Sequence, residues 1–318
     1  MTTPDIENLC TKIKNEIEKV IVGKSENIDY ILTAILAGGH VLLEDVPGTG
    51  KTMLSRTLAG CIDGAFSRIQ FTPDLLPSDV TGINFFDTSK NAFVFREGPV
   101  FANILLADEI NRATPRTQSS LLEAMEEKQV TVDGATRPLP DPFFVIATQN
   151  PVETAGTFPL PEAQLDRFLM KLSMGLPERA DEISILSNFM NDDPGEAVKS
   201  VCTIEEMCQM KAIVRQVYVH PSIREYIVDI ARQTRQHPRI ALGLSPRGSL
   251  ALMKAAQAHA AICGRDYVVP EDIKYLAVPV IAHRLMAAHS MSASGEETSQ
   301  IVQELMDGVP VPTEEWKK

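Results

Sequence analysis

The segment Glu44–Thr52, with the sequence EDVPGTGKT, restricts the fold of this chain more than any other, because it directly follows the apolar run HVLL. A Gly-x-Gly-Lys-Thr sequence between a strand and a helix is typical of a loop that cradles phosphate groups, since the backbone N–H groups at the start of a helix point toward an anion. In such a loop Lys51 reaches the β- and γ-phosphates of a nucleotide, and the Thr52 hydroxyl binds Mg²⁺. The alternative is an ordinary turn that contains glycines.

One position departs from the usual phosphate-loop pattern, which has Gly where this chain has Asp45. A carboxylate turned toward bound phosphates would repel them. We therefore expect nucleotide binding if the Asp45 side chain points away from the loop, so that the backbone donors of residues 46–51 can surround the phosphates.

Short apolar runs alternate with helical segments between His40 and about Met174, which predicts a parallel sheet covered by helices on both faces. The runs that we interpret as buried strands are HVLLE (40–44), SRIQF (67–71), NILLA (103–107), FFVIA (143–147) and FLMKLSM (168–174). The spacing of apolar residues and the capping signals predict helices at 3–20, 25–37, 51–61 and 114–127.

Two segments within this part have the pattern of β-hairpins, at 83–95 and 129–139, and the second turns at Asp133-Gly134. After Pro177 strand-like runs become rare, and apolar spacings of three and four predict helices at 222–236, 246–263 and 270–286. The predicted fold class is therefore α/β, with a five-stranded parallel phosphate-loop core and β-hairpin insertions at 1–175. A smaller all-helical domain is predicted at 176–318.

Polar side chains end two of the predicted strands. Asp108 and Glu109 follow the run ILLA, and Asn150 follows FFVIATQ. Because ligands of parallel sheets bind beyond the carboxyl ends of the strands, Asp108 could hold Mg²⁺ while Glu109 orients or deprotonates the attacking water. Asn150 could bind the γ-phosphate if its strand lies between the other two. The alternatives are a solvated strand end for Asp108 and Glu109, and a turn before Pro151 for Asn150.

The net charge of −12 argues against a dedicated nucleic-acid binder, because neutralising phosphates requires clustered Lys and Arg. The sequence contains no uninterrupted apolar run of about 18 residues, and its first ten residues do not resemble a signal peptide, so we expect a cytoplasmic protein without a membrane span. The five cysteines and six histidines show no metal-ligand spacing, which favours reduced, mostly buried thiols.

A series of motifs resembles the MoxR group of AAA+ ATPases, which is related to the ATPase subunits of magnesium chelatase. The series covers most of the chain and consists of VIVGK (20–24), DEINRA (108–113), LLEAMEE (121–127), ATQNP (147–151), FPLPEAQLDRF (158–168) and LSPRG (244–248). The resemblance implies an AAA+ core with a helical lid, and ATP and Mg²⁺ as ligands.

The resemblance also implies a role for each matching residue. Nucleotide-binding positions are Val20, Ile21, Val22 and Gly23 at the adenine, and Pro47, Gly48, Thr49, Gly50, Lys51 and Thr52 at the phosphates. The Mg²⁺ positions are Thr52 and Asp108, and the catalytic positions are Glu109, Asn150, Arg167 and Arg247. Arg167 matches the arginine finger, which in the family reaches the γ-phosphate bound by a neighbouring subunit. Arg247 matches the second sensor on the lid. Without the resemblance, a surface salt bridge would be the expected role of Arg167.

The function implied by the resemblance is ATP hydrolysis by a ring, expected to be hexameric, that remodels protein partners as a chaperone. Members of the family often act with von Willebrand factor A domain proteins in maturation or metal insertion. A scaffold that binds nucleotide without turnover is one alternative. A nucleic-acid translocase is another, although the two hairpins carry few cations (Lys90, Arg96, Lys128 and Arg137). The hairpins could face the pore or a client, or only cap the sheet.

Overall fold

The computed structural model describes residues 1–45, 48–151, 156–188, 190, 198–288 and 295–312. The helices are α1 (Thr3–Glu18), α2 (Ser25–Leu36), α3 (Lys51–Cys61), α4 (Pro77–Thr81), α5 (Pro115–Glu127), α6 (Glu162–Leu165), α7 (Arg179–Asn188), α8 (Ile204–Val214), α9 (Pro221–Gln236), α10 (Pro246–Ile262), α11 (Pro270–Ile281) and α12 (Gly295–Gly308). The strands are β1 (Val41–Glu44), β2 (Phe66–Gln70), β3 (Gly82–Asp87), β4 (Ala92–Glu97), β5 (Ile104–Asp108), β6 (Gln129–Val132), β7 (Ala135–Pro138), β8 (Phe144–Gln149), β9 (Met170–Leu172), β10 (Ile240–Leu242) and β11 (Met286–Ala287).

Within the described part of the chain, the central sheet has five parallel strands in the order β2-β5-β8-β1-β9. Successive residues of a strand point to opposite faces, so Leu42 packs in one apolar cluster and Leu43 in the other. Leu105 and Leu106 of β5 divide between the two clusters in the same way. Both faces of the sheet are therefore covered, which confirms the predicted α/β architecture.

The order of the strands determines which side chains can meet. Strand β8 lies between β5 and β1, as the proposed role of Asn150 required. Since all three strands run in the same direction, Glu44, Asp108 and Gln149 end them at one edge of the sheet. We call this the carboxyl edge, and α3 starts beside it at Lys51.

Both predicted hairpins are present, as β3 with β4 and as β6 with β7. Asp133 (φ 49°) and Gly134 (φ 77°) form the turn of the second hairpin, as expected for a two-residue turn that requires positive φ at both positions. The amide of Asn84 donates a hydrogen bond of 2.7 Å to the carboxylate of Asp133. The two hairpins therefore lie against each other.

The C-terminal region is helical, as predicted, but it also contains a small antiparallel pairing of β10 with β11. The helix expected at 270–286 ends at Ile281 and is followed by a 3₁₀ turn at Ala282–Arg284. Arg284 is buried there, and its guanidinium donates to the carbonyls of Phe168 and Leu169. These contacts draw the chain away from the helix axis and lead it into β11.

One apolar cluster connects the N-terminal helices, one face of the sheet and the C-terminal helices. Ile13 of α1 and Ile35 of α2 belong to the same cluster as Ala255 of α10 and Ile273 of α11. No described residues form a helix that is long and apolar enough to cross a membrane. The division of the chain at 175 and 176 stays a prediction.

The five cysteines carry free thiols. Cys10, Cys61 and Cys202 are buried, Cys208 is half-buried and Cys263 is exposed. Three of the five thiols are therefore buried, as expected for most of them, and their reduced state stays a prediction. Among the described residues no His, Cys, Asp and Glu side chains cluster as a metal site would require.

Candidate functional site

The phosphate-loop segment turns at two glycines that a residue with a side chain could not easily replace. Gly48 has a φ of 88° and Gly50 a φ of 84°, both in the left-handed region. Gly50 is the N-cap of α3, so Lys51 and Thr52 form the first turn of that helix. The predicted position Pro47 lies, with Val46, outside the described residues.

The Asp45 carboxylate points away from the loop. One of its oxygens accepts hydrogen bonds from Ser173 Oγ (2.9 Å) and Gly175 N (3.0 Å), and the other accepts from Met174 N (2.7 Å). The backbone carbonyl of Asp45 faces the opposite way and accepts from Lys51 Nζ at 3.2 Å. The Asp45 carboxylate is therefore turned away from the loop, which was the condition stated above for nucleotide binding.

Thr148 of β8 holds the two carboxylate residues at the end of β5. Its hydroxyl donates to Asp108 Oδ1 (2.7 Å) and accepts from the Glu109 N–H (2.8 Å). Glu109 has a φ of 54°, which is uncommon for a residue with a side chain and is maintained here by this contact. The conformation directs the Asp108 and Glu109 side chains to the same edge of the sheet.

Strand β2 contributes two more polar contacts to these carboxylates. Arg68 pairs with Asp108 Oδ2 at 2.7 Å, and Gln70 Nε2 donates to Glu109 Oε2 at 2.8 Å. Arg112 also donates to Glu109 Oε2, at 3.2 Å. No motif in the sequence pointed to Arg68, Gln70 or Thr148 as site residues. The alternation in SRIQF was the available signal for Arg68 and Gln70, because it places both on one face of an edge strand.

These groups surround a cavity of about 520 Å³ at the carboxyl edge, which we call the central cavity. Its lining consists of Asp45, Gly48, Gly50, Lys51, Thr52, Met53, Arg56, Arg68, Gln70, Asp108, Glu109 and Asn150. Seven of the predicted site residues are therefore brought together: Gly48, Gly50, Lys51, Thr52, Asp108, Glu109 and Asn150.

The segment Val20–Gly23 lies beside the loop rather than among the described lining residues of the central cavity. The Ile21 Cδ1 atom is 4.0 Å from the position that a Cβ on Gly50 would occupy, and Ile21 is buried. Thr49 is also buried, and its hydroxyl has no hydrogen-bond partner among the described residues. The segment Val20–Gly23 therefore lies next to the phosphate loop. This is the placement expected if both bind the same nucleotide.

The donor groups of the central cavity fit a nucleoside triphosphate with a divalent cation. The Thr52 hydroxyl and the Asp108 carboxylate are hard oxygen ligands of the kind that Mg²⁺ prefers. Lys51, Arg56 and Arg68 supply positive charge, while the Asp45 carboxylate is turned away. Glu109 and Asn150 line the same cavity, where they could contact a water beside the terminal phosphate.

Arg167 and Arg247 lie together, but neither is among the described lining residues of the central cavity. The Glu126 carboxylate bridges them, with Arg167 Nη2 at 3.4 Å from Oε2 and Arg247 Nη2 at 3.3 Å from Oε1. Asp166 lies 3.9 Å from Arg247 Nε and accepts from Arg284 Nε at 2.7 Å. These five residues are called the arginine cluster below.

Comparison with known protein families matches two parts of the chain. Residues 40–170 match the model of the ATPase family associated with various cellular activities (AAA). Residues 232–305 match the model of the AAA lid domain. The first match includes the phosphate loop and the strands β1, β2, β5 and β8 of the central sheet, and the second includes α10 and α11.

Similar proteins and a solved structure match nearly the whole chain. The chain is 53% identical to the Bacillus subtilis protein YeaC, over 98% of this chain and 97% of that protein. A crystal structure of a candidate ATPase from Cytophaga hutchinsonii superposes with a TM-score of 0.90 at 38% identity, over 98% of this chain and 97% of that one. Chaperone MoxR1 of Mycobacterium tuberculosis is 39% identical over 93% of this chain and 81% of its own length, and Protein MoxR of Methylorubrum extorquens is 31% identical over 97% and 96%. The chain therefore belongs to the MoxR family of AAA+ ATPases.

Proposed function

We propose that this protein hydrolyses ATP to ADP and phosphate. The observation that carries the proposal is the central cavity, where the start of α3 and the ends of β5 and β8 place Lys51, Thr52 and the Asp108-Glu109 pair around one space. A site that only bound nucleotide would need the first two residues, but it would not need a carboxylate positioned as Glu109 is.

We assign each residue a role from its place in or beside the central cavity and from the family resemblance. Lys51 and the backbone N–H groups at residues 48–51 bind the phosphates, and Val20–Gly23 contact the adenine. Thr52 and Asp108 hold Mg²⁺, which when bound neutralises charge on the β- and γ-phosphates. Glu109 accepts the proton of the attacking water, and Asn150 orients that water or the γ-phosphate.

The active form in this proposal is a ring, expected to be hexameric, in which subunits complete one another's sites. The arginine cluster supports this arrangement, because Arg167 and Arg247 contact Glu126 instead of lining their own subunit's central cavity. A guanidinium supplied by a neighbour stabilises the charge that develops on the γ-phosphate and leaves the isolated subunit slow.

Chaperone-like remodelling of protein partners is the biological role that we propose for this hydrolysis. It is supported by the relative named Chaperone MoxR1 and by family membership. Von Willebrand factor A domain proteins are the proposed partners, in maturation or metal insertion. The proposed domains are a nucleotide-binding core at 1–175 and a lid at 176–318. A nucleic-acid translocase is disfavoured by the net charge of −12.

The test is ATP turnover per subunit, measured with Mg²⁺ over a range of protein concentrations. We expect a steep rise with concentration, because assembly would complete the sites. Glu109→Gln is expected to keep ATP affinity and to lower kcat by about 100-fold or more. The matched control is Glu225→Gln, which removes an exposed carboxylate from α9.

Turnover that is absent at every concentration would contradict hydrolysis and favour the nucleotide-switched scaffold. Turnover that Glu109→Gln leaves unchanged would contradict the role of Glu109. Retention on heparin, together with nucleic-acid-stimulated turnover, would instead support the translocase.

A further inference from the structure

Glu126 occupies an unusual position, between two arginines that come from different parts of the fold. Arg167 follows α6 in the turn that leads to β9, whereas Arg247 lies in the first turn of α10. Each oxygen of the Glu126 carboxylate faces one of them, at 3.4 Å and 3.3 Å. One side chain of α5 therefore connects the nucleotide-binding part of the chain with its helical part.

Two guanidinium groups that lie on either side of one carboxylate repel each other, because both carry a permanent positive charge. An anion between them offsets this repulsion. Among the described residues, the carboxylates within ion-pair distance of the two arginines are Glu126, which contacts both, and Asp166, which is closer to Arg284 than to Arg247. Glu123 and Glu127 line the same cavity as Arg167 but form no ion pair with it in the described structure. Glu126 is therefore the residue whose contacts hold Arg167 and Arg247 close together.

The rest of the arginine cluster is fixed in place. The Arg284 side chain is 3% exposed and donates to Asp166 and to the carbonyls of Phe168 and Leu169. By contrast, the side chains of Arg167 and Arg247 are 29% and 48% exposed. The buried arginine anchors the turn, whereas Arg167 is half-buried and Arg247 is exposed.

We propose that Glu126 is a positioning residue that holds Arg167 and Arg247 side by side, so that one subunit presents both guanidiniums to the ATP of its neighbour. This inference rests on the proposed function. Each arginine meets Glu126 through one terminal nitrogen, and a guanidinium has five N–H donors, so the contact leaves donors that an incoming phosphate can use. Glu126 itself does not contact the nucleotide in this arrangement.

The experiment uses the full chain with Glu126→Gln, which keeps the shape of the side chain and removes its charge. We expect kcat to fall by about 10-fold to 100-fold, because misplacing a group that acts on the transition state has effects of this size. The affinity for ATP should stay within about twofold, since the subunit's own central cavity is unchanged. Glu126→Asp should recover part of the rate, because it restores the charge at shorter reach.

Mixing experiments separate positioning from a general structural effect. Glu126→Gln subunits mixed with Glu109→Gln subunits should recover turnover, because the second variant supplies a correctly held pair of arginines. Mixing with Arg167→Ala subunits should give no recovery, since neither variant then supplies the pair. The control is Glu225→Gln, which removes an exposed carboxylate from α9, away from the arginine cluster, and should behave as wild type.

Wild-type kcat in Glu126→Gln would overturn the inference, as would weakened ATP affinity at unchanged kcat or recovery with Arg167→Ala subunits. These outcomes can be distinguished from failure of the proposed function. If the proposed function is wrong, the wild-type protein itself shows no turnover, and the inference is then wrong as well.

Discussion

At the scale of single residues, the Asp45 side chain stabilises the segment after β9 and accepts no hydrogen bond from the described residues of the phosphate loop. Its carboxylate accepts three hydrogen bonds from residues 173–175, where the chain leaves β9. Asp45 and Met174 are each 4% exposed, so the Met174 N–H would meet no water if the carboxylate were removed. The residue that departs from the phosphate-loop pattern therefore joins the end of β1 to the segment after β9.

Replacing Asp45 by Ala or Gly should lower stability and leave nucleotide binding nearly unchanged. Loss of the acceptor leaves the buried N–H of Met174 unpaired, which costs about 1–3 kcal/mol in the free energy of unfolding. Chemical denaturation and the Kd for ATP measure the two effects, and Asp307→Ala on α12 is an exposed control. Tighter ATP binding by Asp45→Gly, at unchanged stability, would show instead that the carboxylate acts on the phosphates.

The residues of the central cavity were predictable where they follow a strand or belong to the loop. Lys51, Asp108 and Asn150 are of this kind, because the carboxyl ends of parallel strands meet at one edge. The contacts of Arg68 with Asp108 and of Glu126 with Arg247 were not predictable. They join residues that are far apart in the sequence, and only the order of the strands and the placement of α10 bring them together.

At the scale of elements, apolar runs predicted the strands β1, β5, β8 and β9 because these strands are largely buried on both faces. The edge strand β2 was also predicted, although only Ile69 in it is buried. The Asp133-Gly134 turn was equally clear, since few residues accept positive φ at both positions. The pairing of β10 with β11 was missed, because strands of two or three residues carry no periodic signal. The end of α11 at Ile281 was missed for another reason, namely that Arg284 donates to the carbonyls of Phe168 and Leu169, which are far away in the sequence and lie next to β9.

His40 connects three elements at the start of β1. Its Nδ1 accepts from the Val145 N–H of β8 at 3.0 Å, and its Nε2 lies 3.2 Å from the Met125 carbonyl of α5, to which it can donate. The two contacts together require a neutral ring with the proton on Nε2. Burial lowers the pKa of His40 to about 4.

This shift predicts a loss of stability in mild acid. The pKa of an unfolded His is about 6.5, so between pH 6.5 and pH 4 the unfolded chain binds a proton that the folded chain does not. The free energy of unfolding should therefore fall as the pH drops through this window, by about 3 kcal/mol at most. Chemical denaturation at a series of pH values between 7 and 4 measures the slope.

The variant His40→Gln separates this contribution from that of the carboxylates. Its neutral amide cannot titrate, so the variant should be less stable than wild type at pH 7 and should lose less stability on acidification. An equal slope for the two proteins would show that the ring of His40 stays neutral in the unfolded chain as well, or is charged in both states.

At the scale of the whole molecule, none of the described residues after 176 lines the central cavity. Ile13 of α1, Ile35 of α2 and Ala255 of α10 share one apolar cluster, so the C-terminal helices pack against the N-terminal ones. This packing places Arg247 beside Arg167 and Glu126. A second-sensor arginine in this position is expected to act on the nucleotide of a neighbouring subunit, together with the arginine finger.

Subunit mixing tests whether both arginines act across subunits. Arg167→Ala and Arg247→Ala should each lower kcat, by about 10³-fold or more for the finger, because each removes charge stabilisation from the γ-phosphate of the neighbour. Adding Glu109→Gln subunits, which are inactive but keep both arginines, should restore part of the turnover to either variant. The readout is ATP turnover at fixed total protein and varying subunit ratio. Recovery for Arg167→Ala but not for Arg247→Ala would mean that Arg247 acts on its own subunit, which would require the helical region to move toward the central cavity when ATP binds.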